Sequence, residues 1–268
     1  MDQDGVSARL GKYSLYELCV QTPARDVQLV RAMHGGVYDG SPAMILGDDF
    51  CGSSLMSWEW VSLEEGASAV ATDRDPEAIA HVRTHPRVRS RCMSVMDVRD
   101  EADAICALNY AACELHARRD LVAYLAHARS RLLPGGVFVC DIYGGASAWE
   151  EGEFEGEFAG PGGERVIYTW AQESADPTTG MVNNAIHFGV EAGRERYRLE
   201  RAFEYEWRLW SVAELREAMQ DAGFARTEVF LRDQHGIDGE GSIICLPAER
   251  GDLGESYQVY VAAYREGE

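Results

Sequence analysis

Over the first 145 residues, short apolar runs alternate with stretches of helical period, and each run ends at small or acidic residues. Between residues 12 and 34, Tyr13, Leu15, Tyr16, Leu18 and Val20, then Val27, Leu29, Val30 and Met33, predict two short helices. Pro23 breaks them and Gly35-Gly36 ends the second. A strand follows at Met44–Leu46. The next helix runs towards Glu65, with Ser53 or Ser54 placed to cap it and Gly66 to stop it. Ala69–Thr72 is a second strand. Asp75 then reads as the cap of a helix with Pro76 at its first position, running to Arg83 and closed by His85-Pro86. Val88–Val95, Ala104–Leu108 and Val137–Ile142 are three further strands. Arg118–Leu133 is the helix before the last of them, ended by the Pro134-Gly135-Gly136 turn. Five strands separated by helices predict a parallel α/β sheet.

The period changes after residue 143. Residues 144–163 are rich in Gly, Glu and Phe without a period and read as a loop or lid. Its acidic run Glu150–Glu157 suits a solvated loop or an amine-attracting cover. Val166–Gln172, Met181–Val190 and Arg196–Trp207 then predict an antiparallel sub-sheet. Ser211–Glu214 is a capping box opening a helix that Gly223 ends. Thr227–Leu231 and Tyr257–Ala263 predict an antiparallel pair at one sheet edge. Gln234–Gly254 reads as a polar, glycine-rich linker. This divides the chain into an N-terminal helical flap (1–42), an α/β core (43–145), a lid with β insertion (146–210) and the end of the core (211–268).

Charge narrows the partners. A formal net charge of −20 repels a phosphate backbone, so no nucleic-acid partner is expected, and the acidic balance reads as solubility or as attraction for cationic substrates such as amines. No run of about 18 apolar residues is present and the first residues do not read as a signal peptide, which predicts a cytoplasmic protein without a membrane span. Seven cysteines without C-x-x-C spacing fit reduced, mostly buried thiols rather than a metal site. Lys12 is the only lysine among 25 basic residues, leaving one candidate for Schiff-base chemistry.

The stretch with the most chemistry is Ile45–Asp73: strand, tight turn, helix, strand, acidic residue. That order places a nucleoside ligand at the carboxyl ends of two parallel strands. Only Gly52 in the turn lets backbone approach a ligand closely. Neither G-x-G-x-x-G nor G-x-x-x-x-G-K-[ST] is present, which disfavours dinucleotides and triphosphates. Asp73, 21 residues beyond Gly52, stands where a carboxylate can accept both ribose hydroxyls. Cys51 reads as a small buried thiol in preference to a nucleophile.

Four stretches together resemble the class I S-adenosylmethionine-dependent methyltransferases. Ile45-Leu46-Gly47-Asp48-Asp49-Phe50-Cys51-Gly52-Ser53-Ser54 is similar to the family's first motif, an acidic residue before x-G-C-G-T-G. Val70–Asp73 resembles the second motif, Met96-Asp97-Val98 the third acidic position, and Leu132–Phe138 the L-x-P-G-G turn before strand five. Phe50 and Ser54 stand where glycines are usual. The resemblance implies a Rossmann-like, mostly parallel seven-stranded sheet with an antiparallel last strand and an antiparallel β insertion after strand five. It further implies S-adenosylmethionine as cofactor, with Asp48, Cys51 and Gly52 at the methionine end, Asp73 on the ribose, Asp97 and Val98 at the adenine amine, Asn109 beside the methyl donor and Tyr16 as a covering flap. Acceptor-side groups are expected at the ends of strands four and five: Asn109, Tyr110, Glu114, His116, Asp141 and Tyr143. Tyr110, His116 and Tyr143 are the catalytic candidates, although the tyrosines also suit a pocket wall and His116 a helix cap or surface position. No metal is required.

The expected activity is methyl transfer to nitrogen or oxygen of a small molecule. A non-catalytic nucleoside-binding regulator and, less favoured, a nicotinamide-dependent oxidoreductase are the alternatives. The oligomeric state stays open, a homodimer included.

Overall fold

The parallel strands of the first half pair as their hydrophobic runs require, the inner ones buried on both faces and the outermost, Val88–Cys92, carrying no buried residue. A computed structural model describes residues 10–35, 42–237 and 243–267 of the chain. Its helices are α1 (Lys12–Cys19), α2 (Pro23–Gly35), α3 (Leu55–Leu63), α4 (Pro76–Ala80), α5 (Arg118–Arg131) and α6 (Val212–Asp221). Its strands are β1 (Ile45–Asp49), β2 (Ser68–Asp73), β3 (Val88–Cys92), β4 (Ala102–Ala107), β5 (Leu132–Gly144), β6 (Gly152–Ala159), β7 (Arg165–Asp176), β8 (Met181–Ala192), β9 (Glu195–Arg208), β10 (Arg226–Ile237), β11 (Ile243–Pro247) and β12 (Tyr257–Tyr264).

Two compact units divide these elements, one holding residues 22–148 and 209–268, the other residues 149–208 with the N-terminal segment to Gln21. Helix α1 belongs to the second unit and α2 to the first. In the first unit the sheet order is β11-β10-β12-β5-β4-β1-β2-β3. β1 to β5 run parallel, and β12 enters antiparallel between β5 and β10. The sheet has eight strands where seven were expected. The extra one, β11, lies in the stretch read as a linker, because its short Ile-Ile-Cys-Leu run was outweighed by glycine and charge around it. Residues 238–242 of that stretch lie outside the described residues. β12 is interior, not at the edge, with β10 and β11 beyond it.

Both faces of this sheet are packed. Val27, Val30 and Met33 of α2 with Trp60 and Val61 of α3 cover Val137, Val139 and Ala262. On the other face Tyr124 of α5 and Phe224 meet Phe138, ring centroids 5.9 and 6.2 Å away. The cap of α4 is as expected, Asp75 accepting from the Glu77 amide at 2.8 Å with Pro76 behind it. The Ser211–Glu214 capping box is complete. Neither Ser53 nor Ser54 caps α3: Ser54 is left-handed, φ 62°, and its hydroxyl turns to the Cys51 thiol at 3.2 Å.

The second unit is a four-stranded antiparallel sheet, β6-β7-β8-β9. Leu15 of α1 lies against Val166, Ile186, Phe188 and Val190 on one face. The acidic stretch expected as a loop is strand β6, paired along its whole length with β7. The alternation Glu153-Phe154-Glu155 is a period of two, and edge charge hid it. No helix among the described residues is long and apolar enough to cross a membrane.

A buried ion pair ties β1 to α5. Arg131, 3% exposed, donates from Nη1 and Nη2 to the Asp49 carboxylate at 2.8–3.2 Å, and the Tyr124 hydroxyl adds a bond at 3.0 Å. Gly47 makes room: a Cβ there would stand 3.1 Å from Arg131 Nη2. Removing one partner strands a charge in the core, so Arg131→Met is expected to lose about 3–5 kcal/mol of stability. Urea unfolding of the two proteins checks it, and a loss below 1 kcal/mol would contradict the assignment.

Candidate functional site

The carboxyl ends of β1 and β4 carry the same backbone feature. After β1, Phe50 and Ser54 adopt left-handed φ of 58° and 62° around Gly52 at 54°. After β4, Asn109 and Tyr110 do so at 58° and 63°. Left-handed non-glycine residues cost roughly 1–3 kcal/mol each and persist where neighbours over-determine them. The β1 turn is held by three bonds from backbone amides: Cys51 N to Thr72 O at 3.0 Å, Ser54 N to Cys51 O at 2.8 Å, and Gly52 N to the Asp73 carboxylate Oδ2 at 2.9 Å. Phe50 rests edge-on against Tyr124 at 5.3 Å.

Asp73 is therefore engaged by the β1 turn through one oxygen. Its second oxygen accepts the Asp75 amide at 2.9 Å. A carboxylate offers about four acceptor positions, so capacity for two hydroxyls remains.

Asp48 points to the opposite face from Asp49. It is 6% exposed, and the Ser57 hydroxyl donates to it at 2.7 Å. Burial pushes its carboxyl up to about 7, against the pull of that hydrogen bond and with Asp49 adding to the rise. Cys51 is buried and its thiol is raised well above the usual range by desolvation, with Asp48 reinforcing it, which fits packing rather than nucleophilic work. The Ser53 hydroxyl is buried in the turn without a hydrogen-bond partner. The space a Cβ on Gly52 would enter is open.

Beside this turn lies a cavity of about 270 Å³ whose walls include Phe50, Val95, Met96, Leu115, Arg74 and Asp120. Val95–Asp97 is a single 3-10 turn, capped by Ser94 accepting from the Met96 amide at 3.2 Å. The cavity wall thus falls one or two residues ahead of the expected Asp97-Val98. Asp97 itself is exposed and Val98 is buried. Leu115 escaped the sequence reading and Met96 entered it only as the neighbour of Asp97, because an apolar cavity wall leaves no distinctive signal in sequence.

The catalytic candidates separate. Tyr110 and Tyr143 meet edge to face at 5.0 Å. Burial, then Asp141, raises the Tyr110 phenol above its ordinary range, with Arg232 opposing, so it stays protonated at neutral pH. His116 is exposed and accompanies Glu114, which Arg74 contacts at 3.3 Å. Burial raises the Glu114 carboxyl, opposed by Arg74 and, more weakly, by His116. Asp141 accepts from the Tyr110 amide at 2.8 Å, while Arg232 reaches Tyr110 Oη and Gln258 Oε1, each at 3.4 Å. Arg232 was missed because β10 continues past the predicted end at Leu231. Tyr16 lies in the second unit, its ring 4.9 Å from Phe203.

No family profile matches the chain, and no curated protein matches it in sequence. Among solved structures, DesVI of Streptomyces venezuelae is similar at a TM-score of 0.70 and 16% identity, over 94% of this chain and 95% of that one. CalS10 of Micromonospora echinaspora, an amino pentose methyltransferase solved with S-adenosylmethionine bound, gives 0.65 at 15% over 92% of each chain. An S-adenosylmethionine-dependent methyltransferase from Clostridium acetobutylicum gives 0.61 at 15%, over 91% of this chain and 92% of that one. The chain has the fold of these proteins.

A raised carboxyl pKa sets the sign of a pH effect. Asp48 in the folded chain keeps a proton that the unfolded chain releases from about pH 4, so this group's contribution to stability falls as pH rises to about 7 and is flat above. Asp48→Asn is expected to melt with less loss between pH 5.5 and pH 8 than the parent. Parallel profiles of the two proteins in thermal melts would contradict it.

Proposed function

We propose that the chain is an S-adenosylmethionine-dependent methyltransferase acting on a small-molecule acceptor at nitrogen or oxygen. The observation that carries this reading is the β1 turn. It has glycine-like backbone at Phe50 and Ser54, a buried unpartnered Ser53 hydroxyl, open space at Gly52 and a protonatable Asp48, all next to an apolar-walled cavity. Those groups fit a nucleoside with a cationic amino-acid tail. The relatives named above, which share the fold, add support.

In this reading Asp48 receives the methionine ammonium, the turn at Cys51-Gly52 lines the tail, Asp73 takes the ribose hydroxyls with its free acceptor positions, and Phe50 with the 95–98 segment encloses the adenine, Asp97 and Val98 lying at its amine. Asn109 stands at the donor end. When bound, S-adenosylmethionine supplies an electrophilic methyl whose bond to sulfur breaks as the bond to the acceptor forms. The chain's own work is to orient, to exclude water and to manage one proton. Tyr110 and Tyr143 form a wall that donates hydrogen bonds. His116 beside Glu114 is the group placed to carry the proton away. The strong negative charge favours an amine acceptor.

Calorimetry with S-adenosylmethionine and S-adenosylhomocysteine tests the reading. Binding is expected, with Asp73→Ala losing about 10-fold or more in affinity, since the substitution removes a ligand contact and leaves the Gly52 amide unpaired. Binding of the ammonium by Asp48 is expected to release a proton near pH 6.5, seen as a buffer-dependent heat. No binding, or undiminished binding by the variant, would overturn the reading. Binding without turnover over a panel of amines and alcohols would leave a non-catalytic binder.

A further inference from the structure

The geometry points to Asp141 as a positioning residue that holds the Asn109-Tyr110 turn in its left-handed form and so places the wall at the ends of β4 and β5. Its part in catalysis rests on the methyltransferase reading; the structural role does not.

Two consecutive non-glycine residues with positive φ leave their amides aimed the same way, and in an apolar strand end those donors need one strong acceptor. Cys140 of β5 pairs with Ala107 of β4, so Asp141 comes level with the first residues beyond β4. Its Oδ1 accepts the Tyr110 amide at 2.8 Å, and the Asn109 amide also bonds to this carboxylate. Asp141 is 2% exposed. Its other oxygen faces Arg232 Nη1 at 3.8 Å, at the limit of an ion pair and beyond a hydrogen bond. The short, charge-assisted contact is with the turn, not with the guanidinium. Arg232, 12% exposed in its side chain, then bridges to Tyr110 Oη and Gln258, bracing the same tyrosine from the ring end.

Asp141 is almost fully buried, with its near oxygen on backbone amides and its far oxygen facing a cation. It acts through Asn109 and Tyr110. The device repeats that of Asp73, a carboxylate on the flanking strand that holds a left-handed turn by its amide.

Three measurements decide it. In the parent protein, without ligand, the Tyr110 amide should exchange with deuterium at least about 100-fold more slowly than an unprotected amide; exchange at the unprotected rate would overturn the proposal, and needs no variant. Asp141→Asn keeps an acceptor oxygen but no charge, whereas Asp141→Ala keeps neither. Slow Tyr110 exchange should survive in Asn and be lost in Ala. S-adenosylhomocysteine affinity should stay within about 3-fold in Asn and drop about 10-fold in Ala. Equal effects of the two substitutions would assign Asp141 to charge pairing with Arg232 and overturn the positioning role. Should none of the proteins bind S-adenosylhomocysteine, the methyltransferase reading falls while Tyr110 exchange still decides the turn.

Discussion

Everything at the carboxyl ends of the parallel strands depends on left-handed backbone held by side-chain carboxylates. Phe50 and Ser54 occupy positions that glycine would fill at no steric cost, and Asn109 and Tyr110 repeat the pattern after β4. Such turns hold only if their amides are claimed. Asp73 claims that of Gly52 and Asp141 that of Tyr110, each from the strand next door. The charge-assisted bond offsets part of the strain, and the remainder is met by packing, Phe50 on Tyr124 and Tyr110 on Tyr143.

The acidic pair at the end of β1 shows how strand alternation divides labour. Successive side chains point to opposite faces. Asp49 goes to the α5 side, where Arg131 and Tyr124 saturate it; Asp48 goes to the α3 side, where Ser57 is the hydrogen-bond donor it meets. One carboxylate is structural because it is paired. The other is chemically available because burial without a cation keeps its proton exchangeable near neutrality.

Much of this was legible in the residues. The strand-turn-helix order, the Asp75-Pro76 cap and the Ser211 capping box rest on local preferences, and local preferences survived into the fold. The antiparallel last strand was also foreseen. What escaped was non-local. Arg131 reaches Asp49 across 82 positions, and no spacing rule connects them. Strand β6 carries enough glycine and charge to read as a loop, strand β11 is short and surrounded by them, and only pairing with a neighbour makes them strands. Asp73 could be placed at a strand tip from sequence, but its hold on Gly52 could not, since that depends on a turn whose left-handed residues are not glycines.

The position of β12 bears on how the chain is made. It enters between β5 and β10 and brings Tyr260 to Asp26 of α2, a bond at 2.7 Å between groups 234 positions apart. During synthesis the first five strands leave the ribosome with β5 as an open edge, its Val137–Ile142 run exposed to any passing strand. That edge is closed only when residues 257–264 emerge, and long-range pairing of this kind is slow and exposed to aggregation. The interval in which the chain is most open to wrong pairing is thus written in the order of its strands, between the formation of β5 and the arrival of β12.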